Sequence, residues 1–221
     1  MQDPGFAIAE LERCMRELKL SGVEIGSNVN NANLDSPEIF PILKAAEALG
    51  AAVLVHPWGM VGNERMGKYW LPWLVGMPAE ISLAICSLIF GGVLERLPNL
   101  RIAFAHGGGA FPGTIGRINH GFEARPDLCA VDNAVSPREY LQRIYVDSLV
   151  HDPLTLRYLV DLMGAGRIAL GSDYPFPLGE SCPGELIEAE SSGFDEATRA
   201  RLLHGTALEW LDLPRERFGA S

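Results

Sequence analysis

The stretch Ala51-Ala52-Val53-Leu54-Val55-His56 determines the fold class of this chain of 221 residues. Five apolar residues in a row, without polar alternation, are typical of a strand that is buried on both faces of a parallel sheet. A helical pattern precedes this stretch. Ser36-Pro37-Glu38 predicts an N-cap with proline at the first helical position, the apolar residues of 39–49 keep a 3.6-residue period, and Gly50 ends the helix. Helix and strand together make one unit of an α/β fold.

The same alternation of strand and helix continues through the whole chain. We predict five strands, at residues 22–26, 52–56, 101–106, 144–148 and 167–171, and six helices, at residues 6–18, 36–49, 78–96, 112–122, 153–163 and 195–210. Such a series implies a parallel sheet covered by helices, either doubly wound or a (β/α)8 barrel. No short repeat, low-complexity tract or linker interrupts it, so residues 1–221 are expected to form a single domain.

The residues at the strand ends favour the barrel. Three predicted strands lead into His56, His106 or Asp173, and barrel enzymes place catalytic residues at the C-terminal ends of several strands. A doubly wound nucleotide-binding domain would show a G-x-G-x-x-G loop, and His106-Gly107-Gly108-Gly109 lacks that order. A complete TIM barrel needs eight strands and about 250 residues. We therefore expect an incomplete (β/α)8 barrel whose first three strand–helix units precede Met1, with unpaired sheet edges at 22–26 and 167–171.

His56, His106 and Asp173 are the candidate site residues, because the strand ends of one barrel converge on one mouth. Imidazole nitrogens and a carboxylate oxygen are ligands that zinc accepts. Each residue also has a structural interpretation: His56 as a satisfied core histidine, and Asp173 as the acceptor of an Asx turn or a helix cap. The three glycines after His106 are expected to leave room for substrate to approach backbone N–H groups, which suits a general acid or base.

Two further residue types are candidates for substrate contacts. Arg117 is either a solvated helix residue or a bidentate clamp for a substrate carboxylate. Trp70 and Trp73 lie in an aromatic segment that either lines a pocket or packs a subunit interface. The other histidines, at positions 120, 151 and 204, are interpreted as structural or surface residues.

The composition excludes several classes of partner. Eighteen basic and 28 acidic residues give a net charge of −10, which argues against nucleic acid as a ligand. The first residues lack the pattern of a signal peptide, and the most apolar stretch, residues 81–94, is too short to span a membrane. The four cysteines are scattered without a C-x-x-C pair, and Cys14 and Cys86 fall in apolar helical patterns typical of reduced thiols. We expect a cytoplasmic protein.

Four stretches resemble one enzyme family. They are His56-Pro57-Trp58, the tryptophan-rich residues 68–80, residues 106–112, and Asp173-Tyr174-Pro175-Phe176-Pro177-Leu178-Gly179. They resemble the 2-amino-3-carboxymuconate-6-semialdehyde decarboxylase family of the amidohydrolase superfamily, whose members are metal-dependent TIM barrels. The resemblance runs from about Phe6 to Leu213.

The resemblance implies a zinc-dependent, non-oxidative decarboxylation of 2-amino-3-carboxymuconate 6-semialdehyde to 2-aminomuconate 6-semialdehyde, in tryptophan and kynurenine breakdown or in bacterial nitroaromatic degradation. It also implies roles for single residues: His56 and Asp173 as zinc ligands, with Asp173 also counted among the catalytic groups, and His106 as the base that deprotonates the attacking water. Trp70 would border the pocket. Arg117 would reach into the neighbouring subunit's site and hold a substrate carboxylate, which implies a homodimer.

The sequence also departs from the family. Family members carry two further zinc histidines in a His-x-His pair on their first strand, and another substrate-binding arginine nearby. No His-x-His occurs in this chain, whose first histidine is His56. Because a catalytic zinc site usually keeps three protein ligands, we expect residues 1–221 alone to bind little zinc and to show no decarboxylase activity.

Three interpretations stay open at this point. The chain is the C-terminal part of an active decarboxylase, or a non-catalytic short isoform that dimerises with the full-length enzyme and modulates it. In the third interpretation it belongs to another decarboxylase or hydrolase of the superfamily, because fold alone does not fix the reaction.

Overall fold

Five parallel strands form the main sheet of the computed structural model, which describes residues 1–218. The strands within residues 1–218 are β1 Gly22–Gly26, β2 Asn28–Val29, β3 Ala32–Asn33, β4 Ala52–His56, β5 Ile102–Phe104, β6 Tyr145–Asp147 and β7 Ile168–Ala169. The main sheet has the order β1-β4-β5-β6-β7 with every pair parallel. The predicted α/β class and the five strand positions are confirmed, although the last three strands are shorter than predicted. In the described part of the chain β1 and β7 are the edges of the sheet, as expected.

Helices alternate with these strands. They are α1 Pro4–Arg16, α2 Phe40–Leu49, α3 Met77–Phe90, α4 Val93–Arg96, α5 Phe111–Ala124, α6 Pro126–Cys129, α7 Pro153–Met163, α8 Glu185–Glu188, α9 Glu196–Ala200 and α10 Thr206–Leu211. Short π-helical turns at Pro72–Gly76 and Arg201–Gly205 lead into α3 and join α9 to α10. Single 3-10 turns lie at Asn63–Arg65, His106–Gly108, Pro137–Gln142, Ala165–Arg167, Glu190–Ser192 and Arg215–Phe218.

The two faces of the main sheet have different environments. Partners in the register share a face, so Val55, Phe104, Val146 and Ile168 line up across four strands on one side. All four are at most 1% exposed and belong to the core cluster that also contains apolar residues of α3. The opposite face carries His56 on β4 and Asp147 on β6, which are half-buried. The helix-covered face therefore supplies the core, and the other face supplies the chemistry.

Two predicted helices are corrected by the structure, and one small sheet was not predicted. Helix α2 begins at Phe40 and not at Ser36, because the Ser36 carbonyl accepts hydrogen bonds from Ile39 and Phe40 in a separate turn. The predicted helix 78–96 ends at Phe90 and resumes as α4, since Gly92 adopts a left-handed φ of 65°. A small hairpin, β2 with β3, follows β1, and its two turn residues both have positive φ, as two-residue hairpin turns require.

The helical run Pro72–Phe90 is longer than the apolar stretch that the sequence suggests. By length and composition its 19 residues could cross a membrane. Its second half supplies core residues such as Ile81, Ile85 and Leu88, each fully buried. A buried core helix passes the same test, so the run is weak evidence for a membrane span.

Candidate metal centre

Three chemically capable side chains meet at the C-terminal end of the main sheet. His56 is the last residue of β4, His106 follows β5 and Asp173 follows β7. Asp173 Oδ1 lies 3.3 Å from His56 Nε2 and 3.6 Å from His106 Nε2. The two imidazole rings have centroids 5.1 Å apart and stand at 80° to each other. The structure thus brings together the residues that the sequence placed in one site.

The donor atoms of this trio fit a single metal ion. One ligand atom from each residue lies within 4.8 Å of the other two. Ligands arranged tetrahedrally at about 2.1 Å from zinc stand roughly 3.4 Å from one another, and the two measured distances bracket that value. His106 Nε2 is buried without a hydrogen-bond partner among residues 1–218, so this nitrogen is available to a metal or a proton. Two nitrogens and one carboxylate oxygen suit zinc and other divalent transition metals.

The loop that carries His106 has an unusual backbone. His106, Gly107, Gly108 and Gly109 all have positive φ, between 57° and 76°. The Asp147 carboxylate on β6 holds the start of this loop: Oδ2 accepts from the His106 N–H at 2.9 Å, and Oδ1 accepts from the Gly107 N–H at 2.8 Å. Oδ1 also accepts from the Leu149 N–H at 3.0 Å. The neighbouring strand therefore fixes the position of His106.

Burial raises the pKa of the Asp147 carboxyl above its ordinary value, while the charge that His106 can carry and the three N–H donors oppose that rise. This role of Asp147 was not predicted from the sequence. The signal was present, because Asp147 is a carboxylate at the end of an apolar strand, the same pattern that singled out His56.

The prediction that the three glycines after His106 give a substrate access to backbone N–H groups is wrong. The N–H groups of His106 and Gly107 are already bound by Asp147, so they do not face a substrate. A Cβ on Gly107 would lie 2.4 Å from Val150 Cγ1, and one on Gly109 would lie 2.4 Å from the Pro78 carbonyl oxygen. Positive φ and close packing therefore require glycine here.

Two of the cavities beside the trio are lined by both His106 and Asp173. One of about 270 Å³ is lined by Trp73, His106, His151, Asp173 and apolar residues of the π turn and of α3. A second, also of about 270 Å³, lies along the inner face of the sheet, where His56 and Asp147 contribute to its lining. His151, interpreted from sequence as structural or surface, is exposed and lies at the rim of the first cavity with a φ of 59°.

The predicted substrate-binding residues lie farther out. Trp70 stacks on Trp73 with ring centroids 5.8 Å apart, and it is Trp73 that lines the cavity beside His106. Arg117 is exposed on α5 and is not part of the trio's cavities within residues 1–218. Its place on the surface leaves it available to a second chain.

Known proteins resemble this chain over nearly all of its length. It is 61% identical over 218 residues to the 2-amino-3-carboxymuconate-6-semialdehyde decarboxylase of Dictyostelium discoideum, a match that covers 99% of this chain and 60% of that protein. It is 38% identical over 234 residues to the enzyme of the same name from Caenorhabditis elegans, covering 92% of this chain and 58% of that protein. The chain thus spans about three fifths of the length of these curated relatives.

Solved structures share the fold. The 5-carboxyvanillate decarboxylase of Sphingomonas paucimobilis superposes with a TM-score of 0.85 at 25% identity, covering 96% of this chain and 64% of that one. A dihydroxybenzoic acid decarboxylase from Polaromonas, solved with manganese and an inhibitor, superposes with a TM-score of 0.81 at 21% identity, covering 96% of this chain and 67% of that one. The second likeness concerns the fold alone.

The family model described as amidohydrolase matches residues 1–213. This match, the parallel sheet and the two decarboxylase relatives agree with the resemblance that the sequence motifs predicted. The chain belongs to the amidohydrolase family.

Proposed function

We propose that this chain forms the greater part of a metal-dependent decarboxylase acting on 2-amino-3-carboxymuconate 6-semialdehyde. The observation that carries the proposal is the meeting of His56, His106 and Asp173 within 4.8 Å at the C-terminal end of a parallel sheet. The names of the two relatives support the substrate. The net reaction replaces one carboxylate of the substrate with a proton and releases carbon dioxide.

Zinc is the metal that we propose for this site. His56 Nε2 and an oxygen of Asp173 would hold it, because these atoms lie 3.3 Å apart, a spacing that two ligands of one ion adopt. Bound there, a divalent ion supplies Lewis acidity and lowers the pKa of water. The trio provides three donors, and one of them is assigned to proton transfer, so we propose that turnover requires donors from outside residues 1–221.

His106 is the proposed base. Its Nε2 is buried, lacks a hydrogen-bond partner among residues 1–218 and faces Asp173. It would accept a proton from a water molecule in the cavity, and the resulting hydroxide would add to a carbon–carbon double bond of the substrate. When carbon dioxide leaves, its bonding electrons re-form the double bond and expel the hydroxide. As the hydroxide adds, His106 would give its proton to the neighbouring carbon, which carries the departing carboxylate, and this hydrogen stays in the product.

Three outer features complete the proposal. Trp70, which stacks on Trp73, would border the cavity mouth. Arg117 on exposed α5 would hold a substrate carboxylate in the site of a second copy, so the functional unit would be a homodimer. The four free cysteines suit a reducing compartment, which supports a cytoplasmic location.

A chimera tests the function. Residues 1–221 are fused to the part of the Dictyostelium relative that lies outside the match, about two fifths of that protein. We expect the chimera to release carbon dioxide from the semialdehyde acid when zinc is supplied, and residues 1–221 alone to show no turnover. His106→Gln in the chimera should abolish turnover, whereas His120→Gln on the exposed face of α5 should not.

Two results would contradict the proposal. If residues 1–221 alone bind stoichiometric zinc and turn over normally, the requirement for outside donors is wrong. If a folded, zinc-loaded chimera hydrolyses lactones and leaves the semialdehyde acid unchanged, the reaction class is wrong.

A further inference from the structure

Glu80 is a buried carboxylate that holds the loop after His56. Its side chain lies on α3 and is 2% exposed. Oε1 accepts hydrogen bonds from Ser27 Oγ and Asn28 Nδ2, both at 3.0 Å, and Oε2 accepts from the Val61 N–H at 2.9 Å. One side chain of α3 therefore joins the loop after β1 to the loop after β4.

Ser27 and Asn28 extend this contact to Trp58, two residues beyond His56. The Trp58 N–H donates to Ser27 Oγ at 3.0 Å, and Asn28 Nδ2 donates to the Trp58 carbonyl oxygen at 2.6 Å. Ser27 has one hydroxyl proton and two nearby acceptors, Glu80 Oε1 and the Trp58 carbonyl at 3.1 Å. The charged carboxylate is the stronger acceptor, so the hydroxyl donates to Glu80 and accepts from Trp58.

A carboxylate at position 80 does not favour stability, because burying it costs free energy of hydration. No arginine, lysine or histidine within residues 1–218 forms an ion pair with it. A buried carboxylate without a cation loses hydration that neutral donors replace only in part. What the carboxylate provides is position: two acceptor oxygens that fix three donors from two separate loops.

We infer that Glu80 is a positioning residue that, through Ser27, Asn28 and the backbone of Trp58 and Val61, sets the His56 ring in the metal-binding trio. The inference rests on the proposed metal site and adds a residue outside it. His56 is anchored on one side by the pairing of β4 with β1 and on the other by this loop. When the loop loses its anchor, the imidazole keeps its strand but loses its fixed angle towards Asp173.

The first experiment uses the metal-free protein. Ring ¹³C–¹H correlation spectra resolve the five histidines, and His56→Gln assigns the His56 signal. Glu80→Gln keeps the size of the side chain but turns an NH2 group towards a donor. We expect it to shift the His56 signal and to leave those of His120 and His204 in place.

The second experiment measures the Co²⁺ affinity of the chimera described above, which supplies the outside donors, by the visible absorption of the bound ion. Loss of a group that orients a ligand typically weakens metal binding about 10–100-fold, and we expect Glu80→Gln to fall in that range. The matched control is Glu95→Gln, which changes a carboxylate bound to Tyr140 and Arg143 outside the trio. The control should leave the His56 signal at its position in the parent protein. Its Co²⁺ affinity should stay within twofold of the parent value.

A second pair of variants makes a smaller change and keeps the test possible if Glu80→Gln does not fold. Ser27→Ala removes one donor to Glu80, and Ser87→Ala makes the same change at a buried serine that bonds only within α3. We expect Ser27→Ala to weaken Co²⁺ binding several-fold and to shift the His56 signal, and Ser87→Ala to do neither.

The outcomes separate this inference from the proposed function. If the parent protein binds Co²⁺ while Glu80→Gln and Ser27→Ala bind it equally well with an unmoved His56 signal, the positioning role is overturned and the metal site stands. If the parent protein binds no Co²⁺ and the His56 signal moves in both variants, Glu80 positions His56 and the metal site fails.

Discussion

The loops that carry His56 and His106 reach the same site by different means. His56 is the last residue of a paired strand, and the loop after it is held from outside the sheet by Glu80 on α3. His106 lies beyond its strand in a left-handed loop, held from within the sheet by Asp147 on β6. Side chains from neighbouring segments hold the first loop, in which Gly59 and Gly62 also have positive φ. In the second loop four successive residues, beginning with His106 itself, have positive φ. Substitutions that remove the contacts of one loop should therefore have different effects from substitutions that remove those of the other.

The largest effect is expected in the His106 loop. Gly107→Ala places a Cβ 2.4 Å from Val150 Cγ1 at a φ of 62°, and overpacking together with backbone strain should cost about 3 kcal/mol of unfolding free energy. Urea denaturation measures the loss. The matched control is Gly113→Ala in α5, where a Cβ meets nothing within 4 Å, and helix propensity should add about 0.5–1 kcal/mol. Equal stability of the two variants would show that the loop is not strained.

Asp147→Asn should have the next largest effect. The amide replaces one of the two oxygens that bind the His106 and Gly107 N–H groups with a donor, and loss of a hydrogen bond to a charged acceptor costs about 1.5–3 kcal/mol. Thermal and urea unfolding test this. Asp152→Asn is the matched control, because asparagine caps the α7 N-terminus about as well as aspartate does. An Asp147→Asn protein as stable as the control would contradict the role of Asp147 in holding the loop.

The smallest of the three effects separates the two histidines by role. We expect His56→Gln to weaken Co²⁺ binding by about tenfold or more, or about 1.4 kcal/mol per tenfold, because the ion loses a ligand. We expect His106→Gln to change the affinity much less, since this residue is proposed to move a proton. Titration of each metal-free variant with Co²⁺ measures the difference. Equal losses would assign His106 as a third ligand.

Some of these supports were predictable from sequence and others were not. The apolar run before His56 predicted β4, and the ends of β4, β5 and β7 predicted the trio, because parallel strands point their C-terminal ends the same way. Asp147 carries the same signal and was missed, since a single carboxylate at a strand end is also a common turn residue. Glu80 gave no local signal: its three donors lie 19, 52 and 53 residues away in sequence.

The glycines after His106 show the limit of local interpretation. Three glycines in a row suggest a flexible or open loop, which predicts access for a substrate. In the structure a Cβ on Gly107, Gly108 or Gly109 would collide with Val150, Val146 or the Pro78 carbonyl, respectively. A glycine run indicates that other atoms pack close to the backbone. Whether those atoms belong to a substrate or to the protein depends on the neighbouring elements.

The sequence by itself determined the α/β class, the five parallel strands and which three side chains meet at the end of the sheet, because strand burial and strand ends are properties of short segments. Only the tertiary structure decided the distances between the three side chains and the hydrogen bonds by which Asp147 and Glu80 hold the two histidine loops. It also decided that Trp73, and not Trp70, lines the cavity. These depend on contacts between residues distant in the chain, whose geometry is set by how whole helices pack on the sheet.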